Sequence, residues 1–107
     1  MSTQVIPFQA TVRVEDKTTI LNLLGEINGL ADGALTAAFE EAEQTSPERL
    51  VLNFERVDYI NSTGIALIVG VLAKARAAHI PLTALGLSDH YREIFTITRL
   101  SDFIEIE

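Results

Sequence analysis

The chain has 107 residues, of which 48% are hydrophobic, a formal net charge of −7 and no cysteine. That is one domain's length with enough apolar content for a core, and the missing cysteines exclude disulfides, thiolate metal sites and cysteine nucleophiles. An acidic chain repels phosphate backbones, so nucleic acid is excluded as a partner, and we read the charge mainly as solubility, with a basic docking face on a protein partner as the lesser use.

Met1-Ser2-Thr3-Gln4 has no basic character and no apolar run follows it, so no targeting segment is read there. Val5 to Val14 alternates loosely, with Phe8, Ala10, Val12 and Val14 on one face. Glu15-Asp16-Lys17 reads as a turn, and Thr18 to Leu24 as a second strand, which makes an antiparallel hairpin. Gly25-Glu26-Ile27-Asn28-Gly29-Leu30 is expected to break that strand, with Gly25 and Gly29 bracketing a turn. A helix over 30–44 follows, with Leu35, Ala38, Phe39 and Ala42 at helical spacing and Glu40, Glu41 and Glu43 facing away.

Leu50 to Phe54 is a short buried strand, and Val57 to Ile60 continues apolar but irregular. Asn61-Ser62-Thr63-Gly64 is a helix-start signal, because Asn and Ser are strong caps. The helix expected over 63–78 is apolar all round from Ile65 to Leu72, which predicts a central position. The stretch from Gly64 to Ala73 is about half of the roughly 20 residues that a bilayer span needs. A soluble, cytoplasmic protein with no membrane contact is therefore expected. Pro81 breaks the helix, Leu82 to Leu85 is a strand, and Ser88-Asp89 caps a helix to about Ile97. Phe103 to Ile106 closes the chain as a short strand or tail. The order implies one domain over 1–107 with a mixed, partly parallel sheet.

Catalysis has little to work with. His79 follows a helix, and His90 has Glu93 one turn on but no third ligand, so both read as surface or capping residues and no metal is expected. No nucleophile elbow, dinucleotide fingerprint or phosphate loop is present. The Ser62 segment differs. A buried strand and a bend deliver Ser62-Thr63 to a helix mouth, where free N–H groups and the positive end of the dipole face outward. A phosphate would be stabilised there. As local structure alone, Ser62 is an N-cap, and serine caps are common.

Val57-Asp58-Tyr59-Ile60-Asn61-Ser62-Thr63-Gly64-Ile65-Ala66-Leu67-Ile68 resembles the phosphorylation loop of the STAS domain family, in its anti-sigma factor antagonists: an apolar strand, then Asp-Ser-Ser/Thr-Gly, then an apolar helix. Gly25-Glu26-Ile27-Asn28 resembles the family's Gly-Glu-Leu-Asp segment. Leu82 to Leu87 and Ile94 to Leu100 resemble its fourth strand and last helix. The likeness covers nearly the whole chain in order. It implies an α/β fold with a mixed four- to five-stranded sheet and helices mainly on one face.

The resemblance also implies a partner-switching role without catalysis or cofactor. The partner would be an anti-sigma factor that is also a serine kinase. Ser62 would be the phosphorylated residue, with Thr63 the second choice, and a metal-dependent serine phosphatase would reset it. Asn28, Asn61, Ser62, Thr63 and Gly64 would contact the partner. Asn28 and Asn61 stand where the family commonly carries Asp. An amide only hydrogen-bonds where a carboxylate also brings charge, so a constitutive antagonist or a divergent kinase is in view. The other readings are a scaffold STAS domain of a larger signalling assembly and a small-molecule sensor.

Overall fold

The computed structural model describes residues 7–107. Val5 and Ile6 of the predicted first strand lie outside the described residues. Among the described residues five strands form one sheet in the order β1-β2-β3-β4-β5. They are β1 (Gln9–Glu15), β2 (Thr18–Ile27), β3 (Arg49–Ile60), β4 (Leu82–Leu85) and β5 (Glu105–Ile106). The helices are α1 (Asp32–Gln44), α2 (Ser62–Ala77) and α3 (Asp89–Ile97), with 3₁₀ turns at Gly29–Ala31 and Leu100–Asp102.

The β1–β2 pair is the expected antiparallel hairpin, and the other pairs are parallel. The mixed sheet follows from chain order: a two-residue turn joins antiparallel strands, whereas each later strand is reached through a helix. Register sorts the side chains by face. Val12, Leu21, Leu52 and Ala84 form one row across the sheet, and Arg13, Ile20, Val51, Thr83 and Glu105 the next. The first row joins the core cluster with Leu35 and Phe39 of α1, Ile68 and Val71 of α2, and Phe95 of α3. All three helices therefore cover one face. Leu21, Leu23, Leu50 and Leu52 are at most 2% exposed, and each such leucine contributes roughly 1.5–3 kcal/mol of transfer free energy.

Three local expectations need correction. β2 does not break at Gly25 but runs on to Ile27, because Gly25 takes φ 92° at an irregularity in the β2–β3 register. Glycine adopts that angle without strain, and two register shifts, at Asn22/Leu24 and Gly25/Glu26, absorb the extra residues of β3. β3 likewise continues through Val57 to Ile60 as strand, paired to Gly25–Ile27. The third concerns α2. It is not apolar all round in the sense of being buried all round. Gly64, Ile68, Val71, Leu72 and Ala75 are buried, whereas Ala66, Val69, Gly70 and Ala73 are exposed. Small side chains on its outer stripe gave the sequence its uniform apolar look.

Candidate functional site

The site lies at the carboxyl ends of β2 and β3, where two short turns sit back to back. Ile60 ends β3 and Ser62 begins α2. Asn61 between them has extended backbone, and its side-chain oxygen accepts from the Gly64 N–H at 2.8 Å. Asn61 is thus the N-cap, and its own N–H donates to the Ile27 carbonyl at 3.2 Å. Ser62 is the first helical residue rather than the cap. Its side chain is exposed, and among the described residues its hydroxyl has no hydrogen-bond partner. Thr63 beside it is exposed as well.

The neighbouring turn repeats the device. Asn28 is extended, and its side-chain oxygen accepts from the Leu30 N–H at 2.9 Å. The Ala31 N–H donates to the Asn28 carbonyl at 3.0 Å, closing a 3₁₀ turn. Both asparagines therefore act through one oxygen that accepts a backbone N–H, a task an aspartate performs equally well. The amides keep this geometry and add no charge of their own: none of residues 27–31 or 59–73 is acidic or basic, and the acidic residues Glu26, Asp32 and Asp58 flank the two turns.

Gly64 brings the turns together. A Cβ on Gly64 would lie 2.0 Å from the Ile27 carbonyl oxygen, so only hydrogen fits there. Gly29 faces Thr63, its would-be Cβ 3.5 Å from Thr63 Cγ2. All five residues expected from the sequence, Asn28, Asn61, Ser62, Thr63 and Gly64, are assembled at this edge, with Gly64 as the contact between the turns.

Two residues beside the site were read from the sequence only as parts of helices. Tyr91 of α3 is buried, and its phenol oxygen accepts from the Ile60 N–H at 2.8 Å. Ile60 is the residue before the cap, so α3 fixes the strand end that aims Ser62. No local motif announces this, because the partners are separated by 31 positions. The other is Leu30, 93% exposed on the 3₁₀ turn. Its signal was legible: Ala31, Leu35, Ala38 and Ala42 make the helical stripe, and Leu30 falls beside it.

The histidines stand apart from the site's chemistry. His79 takes φ 59° just past α2 and donates its N–H to the Arg76 carbonyl at 3.1 Å, closing the helix. His90 packs edge-on against Tyr91, ring centroids 4.9 Å apart. Among the described residues no three His, Cys, Asp or Glu side chains are placed to hold a metal, and no helix is long and apolar enough to cross a membrane.

The STAS domain model matches residues 9–107. The chain belongs to the STAS domain family. The anti-sigma-B factor antagonist of Listeria monocytogenes is 34% identical over 83 residues, which span 78% of this chain and 73% of that protein. The solved structure of the anti-sigma factor antagonist SpoIIAA in its unphosphorylated form superimposes with a TM-score of 0.65 at 26% identity, covering 84% of this STAS domain and 82% of that chain. The structure of the Bacillus cell fate determinant SpoIIAA in the phosphorylated form gives a TM-score of 0.69 at 24% identity, covering 94% and 91%. The mixed sheet and one-sided helices of this chain are those of that fold.

Proposed function

We propose that this STAS domain is an anti-sigma factor antagonist. It binds an anti-sigma factor that is also a serine kinase, and phosphorylation of Ser62 ends the binding. The observation that carries the reading is the unoccupied Ser62 hydroxyl. Asn61 does the capping, so Ser62 is free to accept a phosphoryl group without loss of the helix start. The named relatives are antagonists, and one solved relative is a phosphorylated form.

Physical chemistry supports the switch. A phosphate adds about −1.5 to −2 charge. At Ser62 it would meet the N–H groups of the first turn of α2, which favour an anion. The helix would therefore accommodate the phosphate, while a partner docked over the mouth would have to desolvate it. A serine phosphatase acting on the phospho-form completes the cycle, and such a cycle runs in the cytoplasm. Thr63 is the weaker acceptor because its β-branched side chain packs toward Gly29.

The test is a binding series with the kinase. Ser62→Ala should bind about as well as the parent chain and accept no phosphate, and Ser62→Asp should bind at least tenfold more weakly, an effect on the order of the 1.4 kcal/mol per decade. Equal affinity of both variants, or phosphate localised elsewhere by mass spectrometry, would overturn Ser62 as the control point.

A further inference from the structure

We propose that Leu30 is the apolar anchor by which the anti-sigma kinase grips this domain, entering a pocket of the partner beside Ser62. The inference rests on the antagonist reading and adds the residue and contact chemistry of its interface. Leu30 is 93% exposed, more than any other large hydrophobic side chain among the described residues. It contributes nothing to the core, which takes its neighbours instead: Ile27 and Ala31 are both fully buried.

The backbone that carries Leu30 is also pinned. The Asn28 side chain takes its N–H, the Asn28 carbonyl takes that of Ala31, and Ala31 is buried at the N-cap of α1. A side chain projected from a pinned turn gives up its own rotamers on binding but no backbone freedom, so more of its burial appears as affinity. A flexible loop presenting the same leucine would lose part of that gain to ordering.

Position and charge name the occupant. The Leu30 turn abuts the Ser62 turn through Gly29 and Thr63, so a partner whose kinase site reaches Ser62 covers Leu30 in the same footprint. The chain has 15 acidic and 8 basic residues; none falls within 27–31 or 59–73, and Glu26, Asp32 and Asp58 stand at the borders of these segments. Interface centres are depleted of charge in this way and ringed by polar groups. The matching partner surface is an apolar pocket, with polar or basic groups at its edge. The same geometry accounts for release, since phosphate on Ser62 would set an anion against the rim of a desolvated apolar contact.

Purified anti-sigma factor/serine kinases of the source genome, loaded with ADP to prevent transfer, would be titrated one by one against the parent domain and Leu30→Ala. The parent should bind one of them. Leu30→Ala should bind it roughly 10- to 100-fold more weakly, as expected for removing a buried leucine. Its melting temperature should be unchanged, because the side chain touches no core residue. The loss caused by Leu30→Ala should be the same at low and high salt, since the leucine side chain itself carries no charge. Equal affinity of parent and Leu30→Ala for a kinase that binds overturns the anchor and leaves the antagonist reading standing. Binding of the parent to none of the kinases overturns both. A parent domain that sediments as a dimer while Leu30→Ala sediments as a monomer assigns the leucine to a second copy, and overturns the anchor.

Discussion

Ser62 and Ser88 stand at the mouths of successive helices, and they do different work. Ser88 is the N-cap of α3. Its backbone is extended and its hydroxyl accepts from the Tyr91 N–H at 3.3 Å. Ser62 is one residue further in, because Asn61 has taken the capping position. The chemistry around them also differs. Asp89 and His90 follow Ser88, whereas Thr63, Gly64 and Ile65 follow Ser62. A serine whose hydroxyl holds a helix end cannot be modified without loosening that end. A serine released from that task can be. The one-residue offset between the two mouths is thus the structural difference between a residue spent on the fold and a residue available to a partner.

The sharpest way to break the comparison is to separate the Ser62 mouth from the turn behind it. Gly64→Ala sets a methyl group 2.0 Å from the Ile27 carbonyl oxygen, against backbone that cannot swing away. Forced overpacking of this kind costs about 1–3 kcal/mol or more. Gly70 of the same helix has nothing within 4 Å of its would-be Cβ. Gly70→Ala should therefore stabilise by about 1 kcal/mol through helix propensity alone. Urea unfolding of the two variants should move the midpoint in opposite directions. Equal shifts would mean that the turns at Ile27 and Gly64 are not locked together.

A smaller effect should distinguish the two serines themselves. Ser88→Ala removes a working cap and should cost about 1 kcal/mol, as should Asn61→Ala at the other mouth. Ser62→Ala removes no hydrogen bond and should change stability by less than about 0.5 kcal/mol. Thermal denaturation of the three variants tests this order. A cost for Ser62→Ala as large as that for Ser88→Ala would show that Ser62 shares the capping task, and the free hydroxyl would lose its meaning.

Much of this was legible in the sequence, and the reasons are local ones. The α1 stripe at Leu35, Ala38, Phe39 and Ala42 specifies a one-sided helix, and those residues are buried. The Asn-Ser-Thr-Gly run marks the α2 start, because capping chemistry acts over three residues. What stayed hidden depends on pairing across the sheet. The extension of β2 through Gly25 needs β3 beside it, since a glycine at positive φ reads as a turn until a neighbouring strand holds it in register. Which side of α2 faces water was hidden too, because Ala66, Val69 and Ala73 carry no polar mark. The division of labour between Asn61 and Ser62 lay between these cases: the residue types pointed to a cap, and only the backbone angles say which of the two it is.

The smallest change tests whether the missing charge at this mouth matters. Asn61→Asp keeps the cap, because a carboxylate oxygen accepts the Gly64 N–H as the amide oxygen does, and aspartate ranks with asparagine at this position. The carboxylate also faces the positive end of the α2 dipole, which contributes about 0.3–1 kcal/mol at exposed sites. Asn61→Asp should therefore be as stable as the parent or slightly more so. Its effect on phosphoryl transfer then isolates charge from geometry. If a carboxylate beside the acceptor helps the kinase position Ser62 or its metal, transfer to Asn61→Asp should be faster than to the parent, and Asn28→Asp, on the adjoining turn, should add to it. If the neutral amides are what the proposed kinase grips, both substitutions should weaken docking and slow transfer, and the salt dependence of binding should rise as the mouth gains charge. Initial rates of phosphate incorporation, measured with the unfolding midpoints of the same preparations, separate the two. Unchanged rates with unchanged midpoints would mean that the asparagines serve the two turns alone, and that charge at the mouth has no part in the transfer.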